Sequence, residues 1–126
     1  MKSRILCVAL LLSALPLARS GAAVQANISG AWTFSMHFPG GEDTHHFVFK
    51  QQGEKLTGTA TGVLTKVKDI TGTVKGDEVA FTVTGTNIRE EPMTVDYTGK
   101  VVSKTKMTGK VDYHKGPLVD WEATKR

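Results

Sequence analysis

A five-residue motif recurs along this chain: an apolar residue, a threonine, a glycine, a threonine or lysine, and a small or branched residue. Full copies occupy 56–60, 70–74, 97–101 and 107–111, and partial copies occupy 28–31 and 83–86. In a β-strand, positions one, three and five share a face, so each copy turns its glycine inward and its threonines and lysines toward water. Glycine weakens a strand unless the sheet bends sharply or a bulky side chain packs on its backbone. The motif therefore predicts a strongly curved sheet.

From Asn27 onward, the chain reads as eight short strands joined by short turns, with no window of helical periodicity. The interior must also hold seven large rings: Trp32, Phe34, Phe47, Phe49, Phe81, Tyr97 and Trp121. Glycine-lined walls that face these rings favour an all-β fold with a single eight-stranded antiparallel up-and-down β-barrel. An open sandwich is the alternative, but closure of a barrel removes the exposed edges of the sheet.

The N-terminal residues 1–23 have the pattern of a signal peptide. Lys2 and Arg4 form a positive region, residues 5–15 are an apolar run too short to span a bilayer, and small residues at 20–23 suit a signal peptidase. An uncleaved membrane anchor is the alternative. We expect a secreted or periplasmic protein that leaves the membrane after cleavage, with the barrel domain at 24–126.

Cleavage changes how the composition is interpreted. Lys2, Arg4 and Arg19 leave with the signal, so the mature chain carries 13 basic against 12 acidic residues and gives no support for a nucleic-acid partner. Cys7 leaves as well. The mature chain is therefore expected to hold no disulfide, thiol nucleophile or thiolate metal ligand.

The first strand and the motif copies resemble a known family. Ile28-Ser29-Gly30-Ala31-Trp32, followed by the Leu-Thr-Gly-Thr and Ile-Thr-Gly-Thr copies at 56–59 and 70–73, is similar to the opening of the avidins and, more broadly, of the calycin-type lipocalin-like barrels. The resemblance covers about the first half of the mature chain and implies the fold and a packing role for Gly30 and Trp32. It does not imply biotin binding, because Phe34 and Met36 stand where avidins carry polar biotin contacts. The chain is also rich in lysine and threonine, and in this it resembles uncharacterised secreted bacterial barrel modules.

A second resemblance is to the bacterial inhibitors of secreted metalloproteases, which carry a Ser-Gly-x-Trp strand after a flexible N-terminal arm. That resemblance implies that residues 24–28 form an arm that engages an exported enzyme. Those inhibitors usually contain a disulfide, and the mature chain has no cysteine.

The rings and one histidine are the candidate ligand contacts. A small apolar or aromatic ligand at one end of the barrel would contact residues that the pattern turns inward or toward the mouth: Trp32, Phe34, His45, Phe47, Tyr97 and Trp121. The same residues are also what a filled core requires, and an eight-stranded barrel ranges from filled to holding one small ligand. We expect a filled or nearly filled core with any ligand at one open end.

A histidine pair is the candidate metal site. If Phe38 faces His45 across the first hairpin, His37 faces His46 on the outer surface, with Asp43 in the adjoining loop. Imidazole and carboxylate ligands suit Zn²⁺ or Cu²⁺. A polar cross-strand pair with no metal is the favoured interpretation, because a functional site needs a third fixed ligand.

No catalytic motif is recognisable: the chain has no Gly-x-Ser-x-Gly, phosphate loop or His-Glu-x-x-His sequence. We predict a non-catalytic exported binding module without a cofactor. A protein-interaction module, such as an inhibitor of an exported protease or hydrolase, is the alternative, and an enzyme built on the barrel mouth is a more distant one.

Overall fold

The structure, a computed structural model, describes residues 25–126. In this range the chain forms eight β-strands: β1 (Gly30–Phe38), β2 (Gly41–Gln52), β3 (Lys55–Thr61), β4 (Lys66–Lys75), β5 (Glu78–Thr86), β6 (Pro92–Ser103), β7 (Lys106–Asp112) and β8 (Val119–Lys125). The predicted signal peptide at 1–23 and residue 24 of the predicted domain lie outside the described residues.

The eight strands form one closed antiparallel barrel in which each strand pairs with its neighbours in the sequence. Closure comes from β1 and β8, which pair from Trp32 opposite Lys125 to His37 opposite Asp120. The prediction of an all-β, eight-stranded up-and-down barrel is confirmed, and the fold is compatible with the calycin-like barrels.

The interior of the barrel is filled by aromatic rings. Phe34 is their centre, with ring centroids 4.5 Å from Phe47 and 4.7 Å from Trp121. Phe81 stacks on Tyr97 at 4.6 Å. All five side chains are at most 3 % exposed. The expectation of a filled core is confirmed for this part of the barrel, and the packed rings contribute large buried apolar surfaces to it.

Glycines face these rings as the motif predicted. Gly99 and Gly109 lie opposite each other on β6 and β7, and a Cβ on either would lie 2.5–2.6 Å from Cζ2 of Trp121. A Cβ on Gly72 would lie 2.5 Å from that of Phe81. Side chains larger than hydrogen would therefore occupy the space that the rings need.

The first hairpin differs from its predicted register. Phe38 pairs with Gly41 rather than His45, because β2 begins directly after a two-residue turn at Pro39 and Gly40. Consequently His37 lies opposite Glu42 rather than His46. The shift is an even number of residues and keeps every apolar side chain inside, so the hydrophobic pattern is equally compatible with both registers.

The two ends of the barrel are built differently. The sealed end carries the tight turns at 53–54, 76–77 and 104–105 and is covered by residues 25–29. The loop end carries the turn at 39–40 and the longer connections at 62–65, 87–91 and 113–118.

At the sealed end, residues 25–29 are held by hydrogen bonds to the turns and to the core. Gln25 accepts from the backbone N–H of Gly76 at 3.1 Å, the side-chain amide of Gln51 donates to the carbonyl of Ala26 at 2.8 Å, and Nε1 of Trp32 donates to the carbonyl of Ile28 at 2.9 Å. Ile28 itself is 1 % exposed. The expectation of a free arm is therefore wrong for residues 25–28, because this segment is part of the barrel's own packing.

Candidate functional site

His45 is the most unusual side chain at the loop end. Its alternation on β2 turns it inward, and it is 2 % exposed, the one buried polar or charged residue of the described range. Nε2 lies 3.0 Å from Oδ2 of Asp43, a carboxylate at the solvent-facing edge of the same strand. Nδ1 is buried and has no hydrogen-bond partner among residues 25–126. A buried polar atom without a partner is costly, so this nitrogen calls for a ligand or solvent partner.

Burial sets the charge of this histidine. Desolvation lowers the pKa of His45 from its usual 6.5, and the hydrogen bond and negative charge of Asp43 only partly oppose it. The ring is therefore neutral at neutral pH. Because Nε2 faces a carboxylate, it carries the ring proton, which leaves Nδ1 with a free lone pair that can accept a hydrogen bond.

Tyr97 presents the second buried polar atom. Its ring is stacked in the core, and its hydroxyl has no partner in the described part of the chain. Burial raises the pKa of Tyr97 well above 10.0, and the charges of Tyr113 and Asp43 raise it further. Burial also raises the pKa of Tyr113 to about 12, again with a contribution from Asp43. Asp43 is thus within electrostatic range of both hydroxyls and bonded to His45, so the polar groups converge toward the loop end.

An apolar depression opens at the same end of the barrel; Tyr113 lines it, whereas His45 and Tyr97 do not. It has a volume of about 410 Å³ and is open to solvent. Its lining comes from three connections of the loop end and from the start of β6: Gly62, Val63, Leu64, Thr65, Asn87, Ile88, Met93 and Tyr113. Tyr113 also approaches Phe38, with ring centroids 5.9 Å apart. An apolar concavity with a few polar groups beside it is the usual form of a small-ligand site.

The six predicted ligand contacts do not form one site. Trp32 bonds the segment that covers the sealed end, while Phe34, Phe47 and Trp121 pack on one another in the middle of the barrel. His45 and Tyr97 are the two whose polar atoms remain free toward the loop end. The interpretation that all six line one end is corrected accordingly: four are core, and two are candidate contacts.

The three candidate metal ligands are dispersed by the observed register. Nδ1 of His37 bonds Glu42 at 3.0 Å, His46 faces Thr33, and Asp43 bonds His45. No group of three or more His, Cys, Asp or Glu side chains within residues 25–126 is arranged to hold a metal ion. The predicted opposition of His37 and His46 is wrong because the turn is four residues shorter than expected.

Comparison of the chain with protein-family models, with curated proteins and with solved structures gave no match. Across residues 25–126, no helix has the length and apolar character to cross a membrane.

Sequence reasoning missed the residues that shape the loop end. Gly62, Leu64 and Met93 were not candidates, and Asp43 was considered as a candidate metal ligand but not as a partner of His45. One feature of the 62–65 connection could have marked it as part of a site. Connections between strands usually run over the protein surface, yet this one contains the apolar pair Val63-Leu64. Neighbouring loops from distant parts of the sequence complete the depression, and no local pattern shows that they meet.

Proposed function

We propose that the mature protein is an exported, non-catalytic binding module that takes a small apolar or aromatic ligand at its loop end. The observation that carries this proposal is the pair of buried, unpartnered polar atoms, Nδ1 of His45 and the hydroxyl of Tyr97, in a barrel whose loop end also carries an open apolar depression. A ligand with an apolar body and a polar group would satisfy such a site, because burying its apolar surface and supplying the missing hydrogen bond both favour the complex.

The asymmetry of the barrel supports the loop end rather than the sealed end. Residues 25–29 close the sealed end by hydrogen bonds and by the buried side chain of Ile28. The filled middle offers no passage between the two ends, since its rings are in contact. A ligand is therefore expected to enter and leave at one end, as in the lipocalin-like barrels that the first strand resembles.

A thermal-shift measurement tests the proposal. The mature protein is melted with increasing 1-naphthol, a small aromatic compound with one hydroxyl. At about a hundredfold excess over Kd, binding adds about 2.7 kcal/mol to the free energy of unfolding, which raises Tm measurably. An unchanged Tm across 1-naphthol, indole and fatty acids would count against the proposal.

A matched pair of variants locates the site. Met93→Trp fills the depression and is expected to abolish the rise in Tm, because its larger ring occupies the space of the ligand. Val102→Trp is the control: Val102 lies on the same strand near the sealed end and is 61 % exposed. Equal responses of the two variants would place binding elsewhere.

Export is a separate part of the proposal. It is supported by the charged, apolar and small-residue regions of 1–23. Sequencing the N-terminus of the protein recovered from outside the cytoplasm tests it: a mature chain that begins at Ala23 or Val24 is expected, and a chain that retains Met1 would contradict it.

Interaction with another exported protein is the second candidate function. Two large apolar side chains stand out from the loop-end connections, Ile88 at 86 % and Leu118 at 57 % exposure. The Asn87 side chain fixes the 87–91 connection by accepting from the backbone N–H groups of Arg89 and Glu91. A rigid loop with an exposed apolar tip favours protein binding because little entropy is lost on association. Inhibition of a secreted protease by the mature protein, lost in Ile88→Glu, would support this candidate.

A further inference from the structure

The barrel wall has an incomplete seam between β3 and β4, one strand away from the strand that carries His45. Within the described chain, β3 and β4 pair only from Lys55–Thr57 to Thr71–Thr73. The ladders on either side are longer: β2 and β3 pair as far as Thr61, and β4 and β5 pair as far as Lys66. Toward the loop end, residues 58–61 and 66–70 therefore lack ladder bonds to each other. Strand segments that share no hydrogen bonds separate at lower cost than paired ones.

The connection at 62–65 bridges this seam at the loop end and lies beside the histidine. A Cβ on Gly62 would lie 3.2 Å from Cδ2 of His45 and 3.1 Å from the carbonyl oxygen of Thr44, so the glycine lies beside the Cδ2 edge of the ring. Leu64 anchors the other end of the connection, since its Cδ1 would lie 3.0 Å from a Cβ on Gly85. The segment is held by packing of Val63 and Leu64 against the hydrophobic core, without the strand pairing that secures the rest of the wall.

The ring beside this segment offers one kind of chemistry. His45 is neutral and its Nε2 is engaged with Asp43, so Nδ1 is an acceptor and not a donor. A ligand that reaches it must bring an N–H or O–H group. An apolar compound of the same shape would leave the nitrogen unsatisfied.

We propose that the connection at 62–65 is a lid over the β3–β4 seam, and that it admits an aromatic ligand whose N–H or O–H group donates to Nδ1 of His45. This inference rests on the proposed function, because it names the ligand class and the entrance of the same site. His45 is then the residue that determines specificity, and Gly62 is the part of the lid that contacts it.

Paired probes test the ligand class. 1-Naphthol and 1-methoxynaphthalene share the ring system, but only the first has a proton to donate. The mature protein is expected to bind 1-naphthol roughly three- to tenfold more tightly, the effect of one net hydrogen bond. Binding of both with equal affinity would overturn the inference and leave the proposed function standing. Binding of neither would overturn both.

Two substitutions of His45 distinguish the roles of its two ring nitrogens. In His45→Gln, the amide nitrogen stands near the position of Nε2 and keeps the bond to Asp43, but the acceptor at Nδ1 is lost. In His45→Asn, the amide oxygen stands near the position of Nδ1 and keeps an acceptor, while the bond to Asp43 is lost. The preference for 1-naphthol is expected to vanish in His45→Gln and to persist in His45→Asn. The opposite pattern would refute the role of Nδ1, and circular dichroism verifies that both variants keep the wild-type fold.

A substitution in the lid tests the entrance. Gly62→Ala places a methyl group against His45 and is expected to lift the connection, so that 1-naphthol associates and dissociates faster in stopped-flow fluorescence. Gly116→Ala is the matched control: Gly116 has a similar backbone angle, φ +94° against +96°, but a Cβ there meets nothing within 4 Å. Rates of Gly62→Ala that equal those of Gly116→Ala would show that the ligand enters by another route.

Discussion

Gly109→Ala is the sharpest test of how this barrel is packed. A Cβ at position 109 would overlap the carbonyl oxygen of Thr98 and would lie 2.6 Å from both the Cα of Gly99 and Cζ2 of Trp121. Two of these neighbours are backbone atoms of the adjoining strand, which move only if the β6–β7 ladder is disturbed. The third belongs to a ring that is 1 % exposed and fixed by a hydrogen bond from its Nε1 to the carbonyl of Lys110 at 2.9 Å.

The expected cost follows from these contacts. Overpacking by extra carbon atoms in a well-packed core costs typically 1–3 kcal/mol, and each ladder hydrogen bond weakened by the shift adds about 1 kcal/mol. Replacing glycine by alanine in a strand also stabilises the folded state by roughly 0.5–1 kcal/mol, because the unfolded chain has less conformational freedom to lose. We therefore expect a net loss of about 2–4 kcal/mol in the free energy of unfolding, which lowers Tm by about 10–25 °C.

Urea denaturation of the mature protein, followed by tryptophan fluorescence, measures this loss. Gly40→Ala is the control, because a Cβ there meets nothing within 4 Å and the backbone is not left-handed; we expect a change within about 0.5 kcal/mol. Combining Gly109→Ala with Trp121→Leu should reduce the cost of the alanine, since one of its neighbours is removed. If Gly109→Ala unfolds at the same urea concentration as Gly40→Ala, the assignment of the glycine rows to close ring packing is refuted.

Three further outcomes are expected. Because the unfolded state binds a proton at His45 more readily than the folded state does, stability should decrease as pH falls below 6.5 toward the lowered folded pKa; His45→Gln should flatten this part of the Tm-against-pH curve, and an unchanged slope would contradict the burial argument. The folded protein should show no tyrosinate absorbance near pH 10, because the pKa values of Tyr97 and Tyr113 are raised, the latter to about 12; a normal titration would show that both hydroxyls are solvated. Ile28→Ala should destabilise by about 2–4 kcal/mol as a buried large-to-small change, whereas a residue in a free arm would lose almost nothing in urea denaturation.

The lid and the sealed end also give the barrel different local stabilities. Near the sealed end, the β2–β3 and β3–β4 ladders are both present, and the cover of residues 25–29 adds further hydrogen bonds. Backbone amides near the β3–β4 seam do not share such pairing. Motion needed for ligand uptake can thus occur at the loop end while the ring-filled middle of the barrel stays intact.

Much of the fold could be predicted from the sequence. Alternation with a period of two gave the strands, and the placement of Gly58, Gly72, Gly99 and Gly109 within them indicated a curved sheet around large rings. Gly53 and Gly76 punctuate tight turns and have positive φ angles of 62° and 63° there, which glycine adopts without strain. These features are local, since a residue's face in a strand depends only on its position along the chain.

The candidate site was predicted only in part. His45 was expected among the residues turned inward or toward the mouth, and it is turned inward and buried, whereas its partner Asp43 was considered only as a candidate metal ligand. The register of the first hairpin explains the difference: a slip by an even number of residues leaves Phe34 and Phe47 inside in both arrangements, so burial alone does not select between them. Trp32 was expected near the ligand, but the segment before β1 folds over it.

The sequence by itself determined which side of each strand faces the core, because alternation of apolar and polar residues is written into consecutive positions. Only the tertiary structure decided which loops meet at one end, where the β3–β4 pairing stops, and that two polar atoms are buried there without partners. All three features depend on the register of the strand pairs, which is set when residues distant in the chain, such as Phe34, Tyr97 and Trp121, pack together. That packing is a property of the closed barrel as a whole and of no single segment.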